Sequence, residues 1–292
     1  MKRKFIFLIS LLFLTIIKGN GQVRAIIDNK IVHVNYKTPS LSFAYNTSSS
    51  VSNLTDLTYD PSLNVFFSVK NTNSNPSLIR IDTFGLITNI GSFTYNGVQI
   101  VLVDGLCIHK CSGDLYVSGS LDGNDNATER IFKVNKANGS CTLIYTLSFP
   151  NSTTEDADAM GFDGDDLYIL DGQPPIFTHL YRTNINNPPG TLVPTLFASK
   201  GYERHVDFTC LDGSIYVTQE RTLEKIDLST GVWSTVGQLH STGQFGGNII
   251  RGITSLAPPS LSYTASVQVD TCAGVADLKI SGRFDSDFFE FL

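Results

Sequence analysis

The sequence predicts an all-β chain whose strands form four-stranded blades around an axis, as in a β-propeller. Three marks recur in the same order in four consecutive segments: an aspartate, an apolar strand ending in an aromatic residue, and a second strand ending in Asp or Asn. Repeats of roughly 40 to 50 residues are typical of propeller blades, each of which must stack on its neighbours to bury its apolar faces.

The aromatic residues of the first recurring strand set the repeat length. They lie 49, 52 and 48 residues apart, at Phe67, Tyr116, Tyr168 and Tyr216. Aromatic and β-branched residues favour strands because they pack well on a pleated surface. We therefore expect these four side chains in the core between blades.

The second recurring strand ends in a residue suited to a turn. These residues are Asp82, Asn135, Asn184 and Asp227, and each is followed within a few positions by a glycine, at 85, 139, 190 and 231. Glycine adopts a positive φ at little cost, which permits a tight turn into an outer strand. The pattern predicts complete blades near 56–95, 104–150, 158–199 and 207–240.

The two ends of the chain resemble incomplete blades. Residues 31–35 and 41–45 superpose without a gap on 131–135 and 141–145, which predicts the two outer strands of a blade. Residues 252–256 and 261–265 look like the two inner strands. Joining them gives five four-stranded blades, the last closed by strands from both termini, which removes open sheet edges. Six blades is the alternative.

The first 21 residues are typical of a secretory signal peptide. Lys2, Arg3 and Lys4 precede an apolar run over 5–17, too short to cross a bilayer, which takes roughly 20 residues. We expect a secreted protein with no membrane span after signal removal. The propeller would occupy residues 22–266, and residues 267–292 would be a tail or the start of a truncated further domain.

The net charge limits the classes of binding partner, and the cysteines and Asn-x-Ser/Thr sequences bear on covalent features of the chain. The net charge of −6 becomes −10 once the four cations of residues 1–21 are removed, which disfavours nucleic acid as a partner. Five cysteines cannot all pair within one chain. Five Asn-x-Ser/Thr sequences predict a glycoprotein, with acceptors at Asn46, Asn53, Asn126, Asn138 and Asn151.

The segment from Leu223 to Gly231, which contains Ile-Asp-Leu-Ser-Thr-Gly, resembles the generic secreted β-propeller repeats of the YVTN and NHL-like kind. With the Asp-Leu-Tyr strands, the resemblance covers roughly residues 23–266. It implies a propeller and commonly a binding role. Those repeats carry no catalytic motif that transfers residue by residue to this chain.

The aspartates before the first strand of each repeat form one candidate site. On the face where propellers commonly bind ligands, they would ring the mouth of the channel, with an arginine in the fifth place: Asp56, Asp104, Asp158, Asp207 and Arg251. Such carboxylates could hold a hard cation such as calcium. The other interpretation is that each accepts backbone N–H groups and fixes its turn, as a residue needed in every blade would.

Two acidic loops depart from the repeat. Segments 122–126 and 155–158 would lie near each other on the same face and supply a candidate calcium site at Asp122, Asp125, Asp156 and Asp158, the alternative being solvated turns. The nearest catalytic constellation is His205 and Asp207 with Glu155, in which a histidine beside carboxylates would act as a general base. Nucleophile elbows, phosphate loops and His-Glu-x-x-His pairs are absent from the sequence.

The sequence thus favours an extracellular binding module whose ligand is a protein or a glycan. The second hypothesis is a cation-dependent propeller hydrolase that uses the acidic loops. The third is a purely structural domain. Whether the chain is an enzyme stays open at this point, and no cofactor other than calcium is indicated.

Overall fold

The computed structural model describes residues 22–48, 53–71, 75–122, 129–150, 157–173, 177–201, 205–241, 248–256, 263–270 and 275–282. All regular secondary structure in these ranges is β-strand, which confirms the all-β prediction. The strands up to residue 150 are β1 (Val23–Ile27), β2 (Lys30–Asn35), β3 (Ser40–Asn46), β4 (Leu54–Asp60), β5 (Val65–Lys70), β6 (Ser77–Asp82), β7 (Ile87–Ser92), β8 (Thr94–Tyr95), β9 (Val98–Gln99), β10 (Leu102–His109), β11 (Asp114–Ser120), β12 (Arg130–Val134) and β13 (Ser140–Leu147). Those that follow are β14 (Ala159–Asp163), β15 (Asp166–Gln173), β16 (Phe177–Asn184), β17 (Gly190–Leu192), β18 (Thr195–Gly201), β19 (His205–Leu211), β20 (Ser214–Gln219), β21 (Thr222–Asp227), β22 (Trp233–Gln238), β23 (Gly252–Ser255), β24 (Tyr263–Asp270) and β25 (Val275–Gly282).

The described strands form four four-stranded sheets, one seven-stranded sheet and a separate hairpin. The four-stranded sheets have the orders β4-β5-β6-β7, β14-β15-β16-β18, β19-β20-β21-β22 and β23-β1-β2-β3. The larger sheet runs β10-β11-β12-β13-β8-β9, with β17 pairing β13. Each predicted unit begins within two residues of the innermost strand of one sheet.

The innermost strands lie side by side around an axis. β10 contacts β4 and β14, β19 contacts β14 and β23, and β23 contacts β4. The arrangement is propeller-like, as the repeat predicts.

Apolar side chains fill the space between successive sheets. Each repeat aromatic is buried in a different inter-sheet cluster, Phe67 with residues of β10 and β11 and Tyr116 with residues of β14 and β15. Tyr168 packs with residues of β19 and β20, and Tyr216 with residues of β1 and β2. The expectation that these aromatics form the core between blades is confirmed.

In the five larger sheets, the Asp or Asn that ends the third strand, or directly follows it in the case of Asn135, fixes the turn to the outer strand. In each case its side-chain oxygen accepts the backbone N–H two residues on, in the pairs Asn35–Lys37, Asp82–Phe84, Asn135–Ala137, Asn184–Asn186 and Asp227–Ser229. Gly231 and Gly139 follow with φ of 70° and 77°. This is the Asx turn that the sequence predicts.

The closing sheet does combine strands from both ends of the chain, but in different shares from those expected. β1 pairs with β23 in antiparallel register from Val23↔Ser255 to Ile26↔Gly252, so the N-terminal segment supplies three strands and the C-terminal segment one. The expectation that 261–265 forms the second strand of this blade is wrong, because residues 263–270 pair instead with 275–282. Val23–Ile27 forms the second strand instead, because its apolar residues pack into the hydrophobic clusters on both faces of this sheet.

The hairpin of β24 and β25 forms a sheet of its own, and β24 runs across the boundary predicted between residues 266 and 267. Among the described residues, no helix is long and apolar enough to cross a membrane.

Candidate functional site

The axis of the propeller carries the predicted aspartates. Asp56, Asp104 and Asp207 each lie at a register irregularity of an innermost strand, and Asp158 immediately precedes β14. A bulge re-aims one side chain out of the regular alternation. Asp56 shows the strain of that re-aiming directly, since it has a left-handed φ of 53°.

Four carboxyl groups come close together at the axis. Asp56 is 3% exposed, and burial raises its pKa well above the usual range. The carboxylates of Asp207, Asp104 and Asp158, in that order, raise it further. Because like charges at close range oppose one another's ionisation, the group holds protons that isolated aspartates would lose.

Asp207 joins three sheets through one carboxyl group. Its Oδ2 accepts the N–H of Ile253 at 2.7 Å, and its Oδ1 accepts the N–H of Phe208 at 2.7 Å. Burial raises the pKa of Asp207 to about 8, although the N–H groups of Ile253, Phe208 and Leu57 hold it lower than burial alone would. β19, β23 and β4 are therefore tied together at the axis.

Asp158 also accepts a backbone hydrogen bond, since its Oδ2 binds the N–H of Gly172 at 2.7 Å. Asp104 is half-buried. Arg251 precedes β23 with an exposed side chain, and its carbonyl oxygen accepts the N–H of Asp56 at 2.9 Å. The bonds of Asp158 and Asp207 thus hold backbone N–H groups of neighbouring strands, and a ligand role for the ring stays a prediction.

The axial cavity is small. It measures about 30 Å³ and is lined by residues of β4, β10, β14, β19 and β23. A cavity needs roughly 10 to 15 Å³ of such space for one water molecule. This cavity between the described inner strands therefore has room for very few waters.

Thiols and one lysine line the same cavity. Burial raises the pKa of Cys107 and of Cys210, whereas burial lowers that of Lys110. A thiol whose pKa is raised supplies little thiolate at neutral pH, so it is a poor nucleophile. Among the described cysteines, Cys107, Cys111, Cys141 and Cys210 form no disulfide, and Cys272 lies outside the described residues.

Three threonines that the sequence reasoning missed connect the innermost strands. Thr58 accepts the N–H of Ile108 at 3.1 Å, Thr209 that of Ser255 at 2.8 Å, and Thr254 that of Tyr59 at 3.2 Å. The available signal was Asp-x-Thr, present at 56–58 and 207–209.

A second missed group lies at the opposite end of the inner strands. His109 is 7% exposed; its Nδ1 lies 2.9 Å from Ser112 Oγ and its Nε2 3.2 Å from Asp165 Oδ1. The ring also packs edge-on against Phe162. Ser112 Oγ accepts the N–H of Asp114 at 3.2 Å, so the serine fixes the β10–β11 turn while the histidine reaches the next blade.

The structure describes only some of the proposed calcium-binding and catalytic residues. Asp122 is exposed and its Oδ1 accepts the hydroxyl of Ser120 at 2.6 Å, while Asp125, Asp156 and Glu155 lie outside the described residues. His205 begins β19 and pairs through its backbone with Gln219. Groups of three His, Cys, Asp or Glu side chains placed to hold a metal are not found in the ranges that the structure covers. The acidic-loop site and the catalytic constellation stay predictions.

Three predicted glycosylation acceptors have described positions. Asn46 ends β3, Asn53 directly precedes β4 and Asn138 lies in the β12–β13 turn, all with exposed side chains. Asn126 and Asn151 lie outside the described residues.

Several solved structures are similar to this chain at low sequence identity. TolB from Acinetobacter baumannii is 10% identical, with a TM-score of 0.44, and the match covers 80% of this chain but 66% of that one. Putative TolB from Agrobacterium tumefaciens is 9% identical, with a TM-score of 0.44 and coverage of 89% and 88%. The extracellular domain of a putative hybrid two component system from B. thetaiotaomicron is 12% identical, with a TM-score of 0.42 and coverage of 81% and 29%. These values carry no function over to this chain.

No functionally curated protein matches the sequence. A family model described as "Repeat of unknown function (DUF6923)" matches residues 114–273. The fold-level prediction of a β-propeller repeat protein is confirmed by this repeat family and by the arrangement of the sheets. Since the match spans more than half of the 292 residues, the chain belongs to the DUF6923 repeat family.

Proposed function

We propose that the protein is a five-bladed extracellular β-propeller that binds a protein or glycan and catalyses no reaction. The blade count is supported by the run β10-β11-β12-β13, which has the strand order of a blade and lies inside the seven-stranded sheet. The strands added to that sheet, β8 and β17, pair with its outer member β13. Secretion is supported by the signal-like segment 1–21.

The small size of the cavity between the described inner strands is the observation that carries the binding role. Many ligand pockets have volumes of roughly 300 to 1,000 Å³, and the axial cavity of about 30 Å³ is far smaller. Asp207 uses both carboxyl oxygens to hold backbone N–H groups, so it is placed to tie blades together. Recognition would then take place on the outer surfaces of the blades.

The first test is a binding screen. The purified protein, fluorescently labelled, is applied to an array of immobilised glycans and to a panel of extracellular proteins. We expect saturable binding to at least one member. Binding to none of them would contradict the proposal and favour a purely structural domain.

The second test asks whether the chain turns over a substrate. A panel of aryl esters and aryl glycosides is incubated with the protein and with Asp207→Asn, with and without calcium. We expect no turnover above the buffer rate. Turnover above the buffer rate would overturn the non-catalytic role, and its loss in an Asp207→Asn variant that is still folded by circular dichroism would assign the reacting group to the axis.

A further inference from the structure

A cleft of about 470 Å³ opens on the sheet that closes the ring. Its volume lies within the range of roughly 300 to 1,000 Å³ typical of small-molecule sites. It is lined from β1, β2, β3 and the β2–β3 turn, by Gln22, Val23, Arg24, His33, Val34, Asn35, Tyr36, Lys37, Thr38, Ser40 and Ser42.

The charge of this cleft is opposite to that of the protein. Arg24, His33 and Lys37 are its ionisable basic groups, and no Asp or Glu is among the described residues that line it. The chain as a whole has a net charge of −6. A cationic cleft on an acidic protein attracts anions selectively, since field lines focus in concave surfaces.

The strand register places the two central cations side by side. Arg24 lies directly opposite His33 in the β1–β2 pair, and His33 directly opposite Ser42 in the β2–β3 pair. Side chains at directly opposed positions project from the same face with Cβ atoms roughly 5 Å apart, where like charges destabilise the sheet. Burial and then the neighbouring Arg24 lower the pKa of His33. A bound anion would relieve this repulsion.

The acidic groups nearby lie outside the lining and accept hydrogen bonds from protein donors. Asp212 accepts the hydroxyl proton of Tyr36 at 2.9 Å. On the neighbouring sheet, Asp82 accepts the N–H groups of Phe84 and Leu86 at 2.9 and 2.8 Å. The guanidinium of Arg24 donates to the neutral amide oxygen of Gln22 at 3.0 Å and has further N–H donors.

We propose that this cleft binds an oxyanionic group, a sulfate, phosphate or carboxylate carried by a small extracellular ligand, through Arg24 and His33. Arg24 supplies the planar pair of donors that suits an oxyanion, and the hydroxyls of Thr38 and Ser42 supply neutral donors. This cleft would give the binding role proposed above a specific surface and ligand class, so the inference rests on that proposed role.

Protonation of His33 strengthens the site. Burial raises the pKa of Tyr45 on β3 to about 12, although the charge of Arg24 lowers it, and Asp82 on the neighbouring sheet raises it further. Tyr45 is therefore neutral across the physiological range, which leaves His33 as the group that titrates. We expect anion affinity to rise as pH falls from 8 to 5.5.

The test is isothermal titration of the purified protein with sodium sulfate, sodium phosphate and sodium glucuronate, with glucose as the uncharged control. The three anions distinguish which oxyanion the cleft prefers. Arg24→Gln is expected to weaken binding about tenfold or more, because a charge-assisted hydrogen bond is lost. Lys30→Gln removes the same charge from β2 outside the cleft and is expected to bind as the native protein does.

The pH dependence gives an independent readout. We expect the His33 pKa, measured by NMR, to rise when the preferred anion is bound. Absence of binding by all three anions up to about 10 mM, beyond the millimolar range of weak sites, would overturn the proposal. So would equal losses in Arg24→Gln and Lys30→Gln. If the anions fail while a glycan or protein ligand is still bound in the screen, the cleft is wrong and the binding role stands.

Discussion

Asp207 Oδ2 accepts the backbone N–H of Ile253 at 2.7 Å across the junction between β19 and β23. The two residues belong to different sheets, and Ile253 lies in the strand that closes against the N-terminal segment. One buried carboxyl group thus holds the closing strand to its neighbour.

Replacement of Asp207 by Ala should destabilise the fold strongly. The change leaves the buried N–H of Ile253 without this acceptor and removes the bond to Phe208. We expect the free energy of unfolding to fall by about 2 to 4 kcal/mol, measured by urea denaturation. Asp166→Ala removes a carboxylate from a partly exposed pair with Arg182 and should cost less than about 1 kcal/mol. Equal losses in the two variants would contradict a specific role for Asp207.

Stability should fall as pH rises through neutrality. An aspartate has a pKa of about 3.9 in the unfolded chain, and that of Asp207 is raised to about 8 in the fold. An acid with a raised folded pKa takes up a proton on folding, so its stabilising contribution is complete below about pH 4 and is lost as pH rises towards 8. We expect a loss of at least about 1.4 kcal/mol between pH 5 and 8, the equivalent of one pKa unit.

The same pH series on Asp207→Asn checks the assignment. Asparagine does not titrate, so this variant should start from a lower stability and lose less of it over the interval, although Asp56 still contributes. A slope identical to that of the native protein would assign the pH dependence to other groups.

The local features of the fold could be predicted from the sequence, whereas the long-range pairings could not. Phe67, Tyr116, Tyr168 and Tyr216 were predicted correctly because strand position and burial follow from the local pattern. The Asx turns at Asp82 and Asp227 were predictable for the same reason. Val23–Ile27 and 261–265 are both short and apolar, and only packing against two neighbouring sheets decides which one pairs with β23.

The role of the repeated aspartates could not be predicted from the sequence. They were expected to ring the channel mouth, and in the structure the carboxylates of Asp207, Asp104 and Asp158 raise the pKa of Asp56, but a ligand role for the ring stays a prediction. Their backbone partners depend on strand irregularities at Thr55/Thr58 and His205/Asp207, which have no clear sequence signature. The basic cleft was missed because Arg24 and His33 become neighbours only through the β1–β2 register.

Gly252 should not tolerate a side chain. A Cβ at this position would lie 2.5 Å from the carbonyl carbon of Asp56 and 2.6 Å from the nitrogen of Leu57, both backbone atoms that cannot move aside cheaply. We expect Gly252→Ala to lower the free energy of unfolding by about 2 to 4 kcal/mol. Gly201→Ala is the control, since no described atom beyond its chain neighbours lies within 4 Å of its Cβ position. A neutral Gly252→Ala would show that β23 and β4 are further apart.

Truncation should separate the closing strand from the hairpin that follows it. A chain ending at Ser262 keeps β23 and should unfold cooperatively at nearly the native temperature. A chain ending at Ile250 lacks the partner of β1 and the buried Ile253, and should lose at least about 4 kcal/mol. Thermal melts followed by circular dichroism measure both. Equal melting of the two chains would show that β23 contributes nothing to closure.

The pairing of Val23 with Ser255 joins positions 232 residues apart. During synthesis β1 is translated long before β23, so the backbone hydrogen-bonding groups along one edge of β1 stay unpaired until almost the whole propeller has been translated. Contacts of such sequence separation slow folding, because a long loop must close before they form. An edge that stays open this long is a template for pairing with another chain. Nascent copies on neighbouring ribosomes are therefore most vulnerable to misassembly at β1, before the ring has closed.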